Sequence, residues 1–187
     1  MQRLLHLMQV DNDETAFREF YRENVFKLFQ FAFAFVRDKE LSEEIVNDVF
    51  LKLWHKRGRI DEIKNINVYL YVSVKNTAFN YVRKKDFKKS INIDDLSADH
   101  FYMSPDQEEA LITDELKKLI EQSINQLPPK CKIIFKMVKE DGLSADEVAD
   151  ILGISYKTVT TQLSIALKKL ALVLKPSPER NKLRVKF

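Results

Sequence analysis

The stretch LSADEVADILGISYKTVTTQLSIALKKL, residues 143–170, decides the fold of the second half of the chain. Ser144 and Glu147 have the S-x-x-E spacing of a capping box, which predicts the start of a helix. Gly153 follows as a helix end and Ser155 as the cap of the next helix, so the turn between them is short. The pattern is typical of a helix-turn-helix, with an ordinary helical hairpin as the alternative.

The second helix of this motif has one apolar and one polar face. The predicted inward residues recur at spacings of three and four: Val159, Leu163, Ala166, Leu167 and Leu170. The predicted outward residues are Tyr156, Lys157, Thr160, Thr161, Gln162 and Ser164. In DNA-binding motifs of this geometry the second helix enters the major groove, with its N-terminal residues on base edges. The motif therefore indicates duplex DNA as a partner.

The composition favours an all-α protein. The 187 residues include only three Gly and five Pro, and no strand-like alternation persists. The single Cys131 excludes an internal disulfide and cannot form a metal site with three scattered His residues, so we expect neither metal nor cofactor. No carboxylate cluster, Cys/His pair or Gly-rich phosphate loop supports an enzyme. Without a membrane-length apolar run or a signal-peptide pattern, the expected location is the cytoplasm.

Charge is distributed unevenly along the chain. Residues 49–89 carry 11 basic and 3 acidic side chains, and residues 155–187 carry 8 basic and 1 acidic. Residues 90–116 carry 8 acidic and no basic groups. The pattern favours two basic surfaces for nucleic acid separated by an acidic tether, with ordinary solvated surface as the alternative.

Two helices are predicted before the first basic block. Asp13 caps a helix over Asp13–Val36 whose Phe stripe serves core packing, with a break near Asn24 as an alternative. Ser42 is expected to cap the second helix, Ser42–Arg57. The face opposite its apolar stripe carries Glu44, Asn47, Asp48, Leu51, Lys52 and His55. This face is either a docking surface for another protein or an ordinary solvated face.

The first basic block is expected to form a loop, residues 56–67, and a helix, residues 68–85. Around that helix aromatic rings are interleaved with Lys, Arg and Asn: Asn67, Tyr69, Tyr71, Lys75, Asn76, Asn80, Arg83 and Lys84. Single-stranded nucleic acid binds such surfaces, because bases stack on rings while cations follow the phosphates. The tyrosines could equally be edges of the core.

The remaining segments complete the predicted organisation. Residues 90–110 read as a flexible acidic linker because they combine weak periodicity with many carboxylates. Helices are expected over residues 111–127 and 130–140, separated by Pro128 and Pro129, with Cys131 as a small core residue. The tail, residues 176–187, is short and basic. The predicted domains are therefore residues 1–89 and 111–175.

Taken together, residues 13–175 resemble a bacterial RNA polymerase sigma factor of the extracytoplasmic-function (ECF) class. ELSEEIVNDVFLKLW and YLYVSVKNTAFNYVRKK are similar to region 2 of that family, and LPPKCKIIFKMVKEDGLSADEVADILGISYKTVTTQLSIALKKL is similar to region 4. The order and spacing of these motifs carry the resemblance. KCKIIFKMVKEDGLS and TVTTQLSIALKKL look like the corresponding stretches of members from Bacteroidetes.

The resemblance implies a non-catalytic subunit that binds core RNA polymerase and gives it promoter specificity. The implied contacts with the β′ clamp helices are Glu44, Asn47, Asp48, Lys52 and Trp54. Melting and capture of the minus-10 strand would fall to Lys64, Asn65, Asn67, Tyr69, Tyr71, Lys75, Asn76, Asn80 and Arg83. Reading of the minus-35 duplex would fall to Ser155, Tyr156, Lys157, Thr158, Thr160, Thr161 and Gln162. The β flap and an anti-sigma factor, often an inner-membrane protein, are further implied partners.

The chain departs from its relatives in places. Many relatives have basic residues at Thr160, Gln162 and Ile165, and an acidic residue is frequent at Asn80, so individual base contacts should differ. A stand-alone helix-turn-helix regulator is the alternative function. It leaves the first half unexplained, and the chain lacks the coiled-coil heptads expected of a dimer. A pure adaptor remains open if neither basic surface contacts DNA.

Overall fold

The computed structural model describes residues 1–85 and 114–174. Throughout these two ranges the regular structure is helical, which confirms the predicted all-α class. The predicted linker, residues 90–110, and the predicted tail, residues 176–187, lie outside the described residues. Within the described ranges, no helix is both long and apolar enough to span a bilayer.

The first half is a bundle of α2, α3 and α4, with α1 packed on α2. Its elements are α1 (Gln2–Val10), α2 (Glu14–Val36), α3 (Lys39–His55), a 3-10 helix (Arg57–Glu62) and α4 (Ile66–Lys85). The core is aromatic, since Phe20, Phe31 and Phe50 are almost fully buried. This confirms a packing role for the Phe stripe.

Two predicted features of this bundle were wrong. The α3 helix is capped by Asp38, whose carboxylate accepts from the Leu41 amide at 3.0 Å, and not by Ser42, whose hydroxyl donates to the Asp38 carbonyl at 2.5 Å. Asp38 is itself a good cap, and starting there adds a turn of helix. The α2 helix continues unbroken through Asn24, and the side-chain amide of this buried residue donates to the Phe20 carbonyl one turn earlier at 2.7 Å.

Two short elements were not predicted. Helix α1 precedes α2, and the basic loop contains the 3-10 helix. The two elements are joined by the Gln9 amide, which donates to the Asp61 carboxylate at 2.8 Å. Arg57 then stacks over Trp54, with 4.4 Å between the guanidinium carbon and the ring centroid. This contact fixes one side of the turn that leads from α3 to α4.

The second half places α8 (Tyr156–Leu174) against α5 (Asp114–Asn125), α6 (Pro129–Lys139) and α7 (Ala145–Leu152). The predicted capping box is present: the Ser144 hydroxyl accepts from the Glu147 amide, and the Glu147 carboxylate accepts from the Ser144 amide. Gly153 ends α7 in the left-handed region at φ 70°, which favours glycine. The local signals that predicted the helix-turn-helix are therefore confirmed.

One apolar residue of the motif was misplaced by periodicity. Leu167 was expected to face inward, but it is 48% exposed, whereas Val159, Ala166 and Leu170 are buried. The buried stripe of α8 is narrower than predicted at this point. It runs through Ala166 and Leu170, and Leu167 lies at its outer edge. Cys131 is fully buried against this stripe, as expected of a core residue.

The two halves pack against each other. Ile134, Met137, Leu143 and Val148 from the second half join the same hydrophobic cluster as the first-half core. Helix α7 lies directly on α4. Helix α8 begins only a few residues after α7, so both predicted DNA surfaces belong to one compact body.

Candidate nucleic-acid interface

The first candidate surface is the N-terminal part of α8. The Ser155 hydroxyl accepts from the Thr158 amide at 3.1 Å, so the helix is capped as predicted. The hydroxyls of Thr160 and Thr161 donate to the Lys157 carbonyl at 3.0 and 2.7 Å. With their protons engaged, these hydroxyls present oxygen lone pairs outward as acceptors.

This surface is open to solvent. Tyr156 is 54% exposed, and Lys157 and Thr161 are exposed as well, while Thr160 and Gln162 are half-buried. A ring, a cation and hydroxyl acceptors therefore project from the first turns of one helix. Such groups can contact phosphates and base edges in a major groove without rearrangement of the protein.

The second candidate surface surrounds the start of α4. The Asn65 side-chain oxygen accepts from the amides of Asn67 and Val68 at 3.0 and 3.3 Å, so Asn65 caps the helix. Lys64, Asn76, Asn80 and Arg83 are exposed, and Asn65, Asn67, Tyr69 and Lys75 are half-buried. Tyr71 differs from the rest, since it is only 2% exposed. Its ring packs edge-on against Phe31 with 4.7 Å between centroids.

Tyr71 is covered by the acidic segment, residues 140–147, which joins α6 to α7 and includes the first turn of α7. The Tyr71 hydroxyl donates to Asp141 Oδ2 at 2.5 Å. The other oxygen of Asp141 lies 3.8 Å from the Lys27 ammonium. The Asn65 amide donates to Glu147 Oε1 at 2.6 Å, 82 positions along the chain. Carboxylates of the second half therefore occupy donors that were predicted to meet DNA.

The hydrogen bonds to the acidic segment also involve the caps of two helices. Glu147 accepts from Asn65 with one oxygen and from the Ser144 amide with the other. Asn65 in turn caps α4. One chain of hydrogen bonds therefore links the start of α4 to the start of α7.

Burial shifts the pKa values of the titratable groups at this contact. It raises the pKa of the Asp141 carboxyl, although the nearby Lys27 ammonium acts in the opposite direction. It also lowers the pKa of Lys27, against the opposing influence of Asp141. The pKa of Tyr71 is raised well above its ordinary value, first by burial and then by the charge of Asp141. The Tyr71 hydroxyl therefore keeps its proton and acts as a donor.

A similar charged pair forms at the neighbouring helix. Lys136 lies 3.5 Å from Glu140 and donates to the side-chain oxygen of Gln30 at 3.3 Å. Lys136 is 5% exposed. Burial lowers its pKa, and burial raises the pKa of Glu140. The side of α6 that faces α2 is therefore polar as well as apolar.

The predicted polymerase-binding residues lie along α3. Glu44, Asn47 and Lys52 are exposed, Asp48 and Trp54 are half-buried, and Leu51 is 53% exposed between them. The Tyr81 hydroxyl donates to Glu44 at 2.7 Å, and this hydrogen bond raises the pKa of Tyr81 to about 12. The Tyr21 hydroxyl donates to Asn47 at 2.9 Å. Neighbouring helices thus hold the polar groups of this face in fixed positions.

The sequence did not point to the acidic segment as part of a site. Asp141 follows α6 in a turn, and Glu147 is fully accounted for by the capping box. The local pattern therefore gave these carboxylates no role across the interface. The one available signal is charge. Acidic residues stand at positions 140, 141, 146 and 147, and residues 49–89 are predominantly basic.

Comparison with known families assigns both halves of the chain. Residues 20–88 match the model for sigma-70 region 2, and residues 117–170 match the model for sigma-70 region 4. The first match contains α3 and α4, and the second contains the helix-turn-helix. A stand-alone regulator would need only the second half, so this alternative does not account for the chain.

Two curated sigma factors agree with that assignment. The chain is 27% identical to the RNA polymerase sigma factor SigZ of Bacillus subtilis over 136 residues, covering 72% of this chain and 73% of that protein. It is 25% identical to the ECF RNA polymerase sigma factor SigL of Mycobacterium tuberculosis over 158 residues, covering 84% and 88%. A solved structure of CnrH in complex with the cytosolic domain of CnrY aligns at 20% identity and a TM-score of 0.48, covering 92% and 96%.

The order of the motifs, the helical fold and the matches over both halves agree with one another. The chain belongs to the sigma-70 family, as a sigma factor of the ECF class that directs promoter-specific initiation by RNA polymerase.

Proposed function

We propose that the two halves divide promoter recognition, with α8 reading the minus-35 duplex and the surface around α4 binding the minus-10 strand. The observation that carries this assignment is the open N-terminal face of α8, which is capped and free to enter a groove. Its residues are Ser155, Tyr156, Lys157, Thr158, Thr160, Thr161 and Gln162. Hydroxyl acceptors predominate over cations there, so base-edge hydrogen bonds should matter more than phosphate attraction.

The α4 surface has the chemistry of a strand-binding site. Exposed Arg83 and Lys64 supply positive charge, while Asn76 and Asn80 can donate to and accept from base edges. Half-buried Tyr69 offers a ring for stacking, at about 1–3 kcal/mol per base, whereas the Tyr71 ring is buried in this arrangement. The domains proposed for these two roles are residues 1–89 and 111–175, with a linker over 90–110 and a tail over 176–187.

The α3 face is the proposed docking surface for the β′ clamp helices of core polymerase. Leu51 supplies exposed apolar area, and Asn47 and Glu44 surround it with polar groups that are already held in place. The proposed partners further include the β flap and an anti-sigma factor. The protein would act in the cytoplasm, without chemistry of its own.

Run-off transcription with purified core polymerase on a genomic promoter library tests this function. Defined transcripts should appear with the intact chain and fall by at least about tenfold with Asn47→Ala plus Asp48→Ala, because docking loses two central polar contacts. The control is Asn125→Ala plus Asp150→Ala, the same two residue types at exposed positions of α5 and α7. Absence of any transcript, together with duplex binding by the chain alone, would contradict the proposal.

A further inference from the structure

We propose that α8 recognises its duplex element through thymine methyl groups, with Thr161 and Ile165 contacting the methyl groups of two successive A·T pairs. This inference rests on the proposed function, because it names the base pairs that the minus-35 surface selects. It adds Ile165 to the residues of that surface.

The first observation concerns the side of α8 that faces away from the protein. Lys157, Thr161, Ser164 and Lys168 are exposed and follow one another at spacings of four, three and four. With 3.6 residues per turn, these spacings place them on one side of the helix, opposite buried Val159. This outer ridge is the part of α8 that comes nearest to base edges when the helix enters a major groove.

The second observation is an exposed isoleucine beside the outer ridge. Ile165 is 37% exposed and lies one turn after Thr161, on the same side of the helix. Neither hydrophobic cluster of the described residues includes Ile165. The thymine methyl is the apolar group that base pairs present in the major groove. An exposed isoleucine on a surface that faces DNA is therefore suited to thymine.

The third observation is the hydrogen bond made by Thr161. Its hydroxyl donates to the Lys157 carbonyl at 2.7 Å. Threonine has few staggered rotamers in a helix, so this hydrogen bond holds the methyl group in place together with the oxygen. Because its proton is engaged, the oxygen can only accept from DNA. One side chain therefore offers both an acceptor and a methyl group in fixed positions.

This pair of groups matches A·T pairs and does not match G·C pairs. An acceptor fits the donor groups of the major groove, which are adenine N6 and cytosine N4, and a methyl contact fits thymine. The A·T pair has both a donor and a methyl group on its major-groove edge, whereas the G·C pair has no methyl group. Guanine is read mainly by Arg or Lys, and Lys157 is the only cation in residues 155–166.

The spacing of the two side chains sets the length of the element. Four residues of helix rise roughly 6 Å, and successive base pairs of duplex DNA are about 3.4 Å apart. Thr161 and Ile165 are therefore spaced to contact neighbouring or nearly neighbouring pairs. The expected minus-35 element contains two successive A·T pairs.

The test starts from a promoter that the run-off library identifies, with its minus-35 region randomised. The full chain bound to core polymerase should enrich duplexes with two successive A·T pairs. Each thymine of these pairs is then replaced by uracil, which removes the methyl group and keeps every hydrogen-bonding group. Electrophoretic mobility shift of the complex should show about a fourfold loss of affinity per methyl group removed, the effect expected for one buried apolar carbon.

Variants of the chain assign each methyl contact to a residue. Thr161→Ser keeps the hydroxyl and loses the methyl group, and Ile165→Ala shortens the apolar side chain. Each should make the complex insensitive to uracil at one of the two pairs, and the pair should differ between them. The matched controls are Thr15→Ser, exposed on α2, and Leu172→Ala, 68% exposed near the end of α8. Both controls should keep the full loss at both pairs.

Three results would overturn the inference. One is an enriched element without successive A·T pairs, and another is unchanged affinity of the unaltered chain for uracil-containing duplexes. The third is an equal uracil effect in Thr161→Ser, Ile165→Ala and the controls, because the methyl groups would then act through DNA shape. Failure of the proposed function has a different outcome, since no minus-35 sequence would be enriched. An enriched element in which uracil is neutral keeps the minus-35 role of α8 and discards only methyl recognition.

Discussion

The two candidate DNA surfaces carry similar side chains but differ in access. Tyr156, at the start of α8, is 54% exposed, whereas Tyr71, near the start of α4, is 2% exposed. The groups around Tyr156 are bonded within α8, while Tyr71 and Asn65 are bonded to the other half of the chain. A basic, aromatic sequence therefore specifies the chemistry of a surface, and its neighbours decide whether that surface is available.

This difference has a reason in the packing. Helix α8 buries one stripe against α5, α6 and α7 and leaves its N-terminal polar face in solvent. Helix α4 packs on α2 and α3 on one side and on α7 on another. The open surface is thus the outer face of the second half, and the covered part of the α4 surface, at Asn65 and Tyr71, lies at the junction of both halves.

The largest expected effect comes from the core beneath the covered surface. Phe31→Ala should lower the free energy of unfolding by about 3–5 kcal/mol, because Phe31 is fully buried and supports the Tyr71 ring. Chemical denaturation measures this change. Phe26→Ala on the same helix is the control and should cost much less, since Phe26 is 39% exposed. Equal losses for the two variants would mean that the packing described around Tyr71 is incorrect.

The open surface should respond in binding and not in stability. Lys157→Ala is expected to weaken minus-35 duplex binding within the polymerase complex by about 1–3 kcal/mol, because an exposed cation at the start of α8 is lost. Electrophoretic mobility shift of the complex measures it, and thermal unfolding should be nearly unchanged. Lys168→Ala, exposed farther along α8, is the control. A similar loss at Lys168 would show general charge attraction instead of a defined contact.

The smallest expected effect lies at the hydrogen bonds that connect the two surfaces. Ser144→Ala removes the cap of α7, and it should cost about 1 kcal/mol of stability. Chemical denaturation measures this loss. Ser164→Ala, exposed on α8, should leave the stability unchanged. Improved stability of Ser144→Ala would contradict the capping geometry.

The elements that depend on local signals were predictable. Ser144, Glu147, Gly153 and Ser155 lie within twelve positions of sequence, and the structure uses each as predicted. Errors arose where two local signals competed, as at Asp38 and Ser42, where both residue types can cap a helix. The helical class and the local helix signals could therefore be predicted from residue order, whereas the two nucleic-acid surfaces stay predictions.

The contacts of Asn65 and Tyr71 with the second half could not be predicted from the sequence. Asn65 and Glu147 are 82 positions apart, and each already has a local role as a helix cap. Tyr71 adjoins the inward stripe of Leu70 and Val74, so periodicity leaves it at the edge between core and surface. The packing of α7 on α4 decides whether this part of α4 is covered or exposed. The spacing of residues within either half does not indicate that packing.

Hydroxyl-radical footprinting of the free chain tests the central claim most directly, with Tyr156 and Tyr71 compared in the same sample. We expect rapid oxidation of Tyr156 and protection of Tyr71 in the free protein. Equal reactivity of the two tyrosines in the free protein would contradict the burial of Tyr71 at the junction of the two halves.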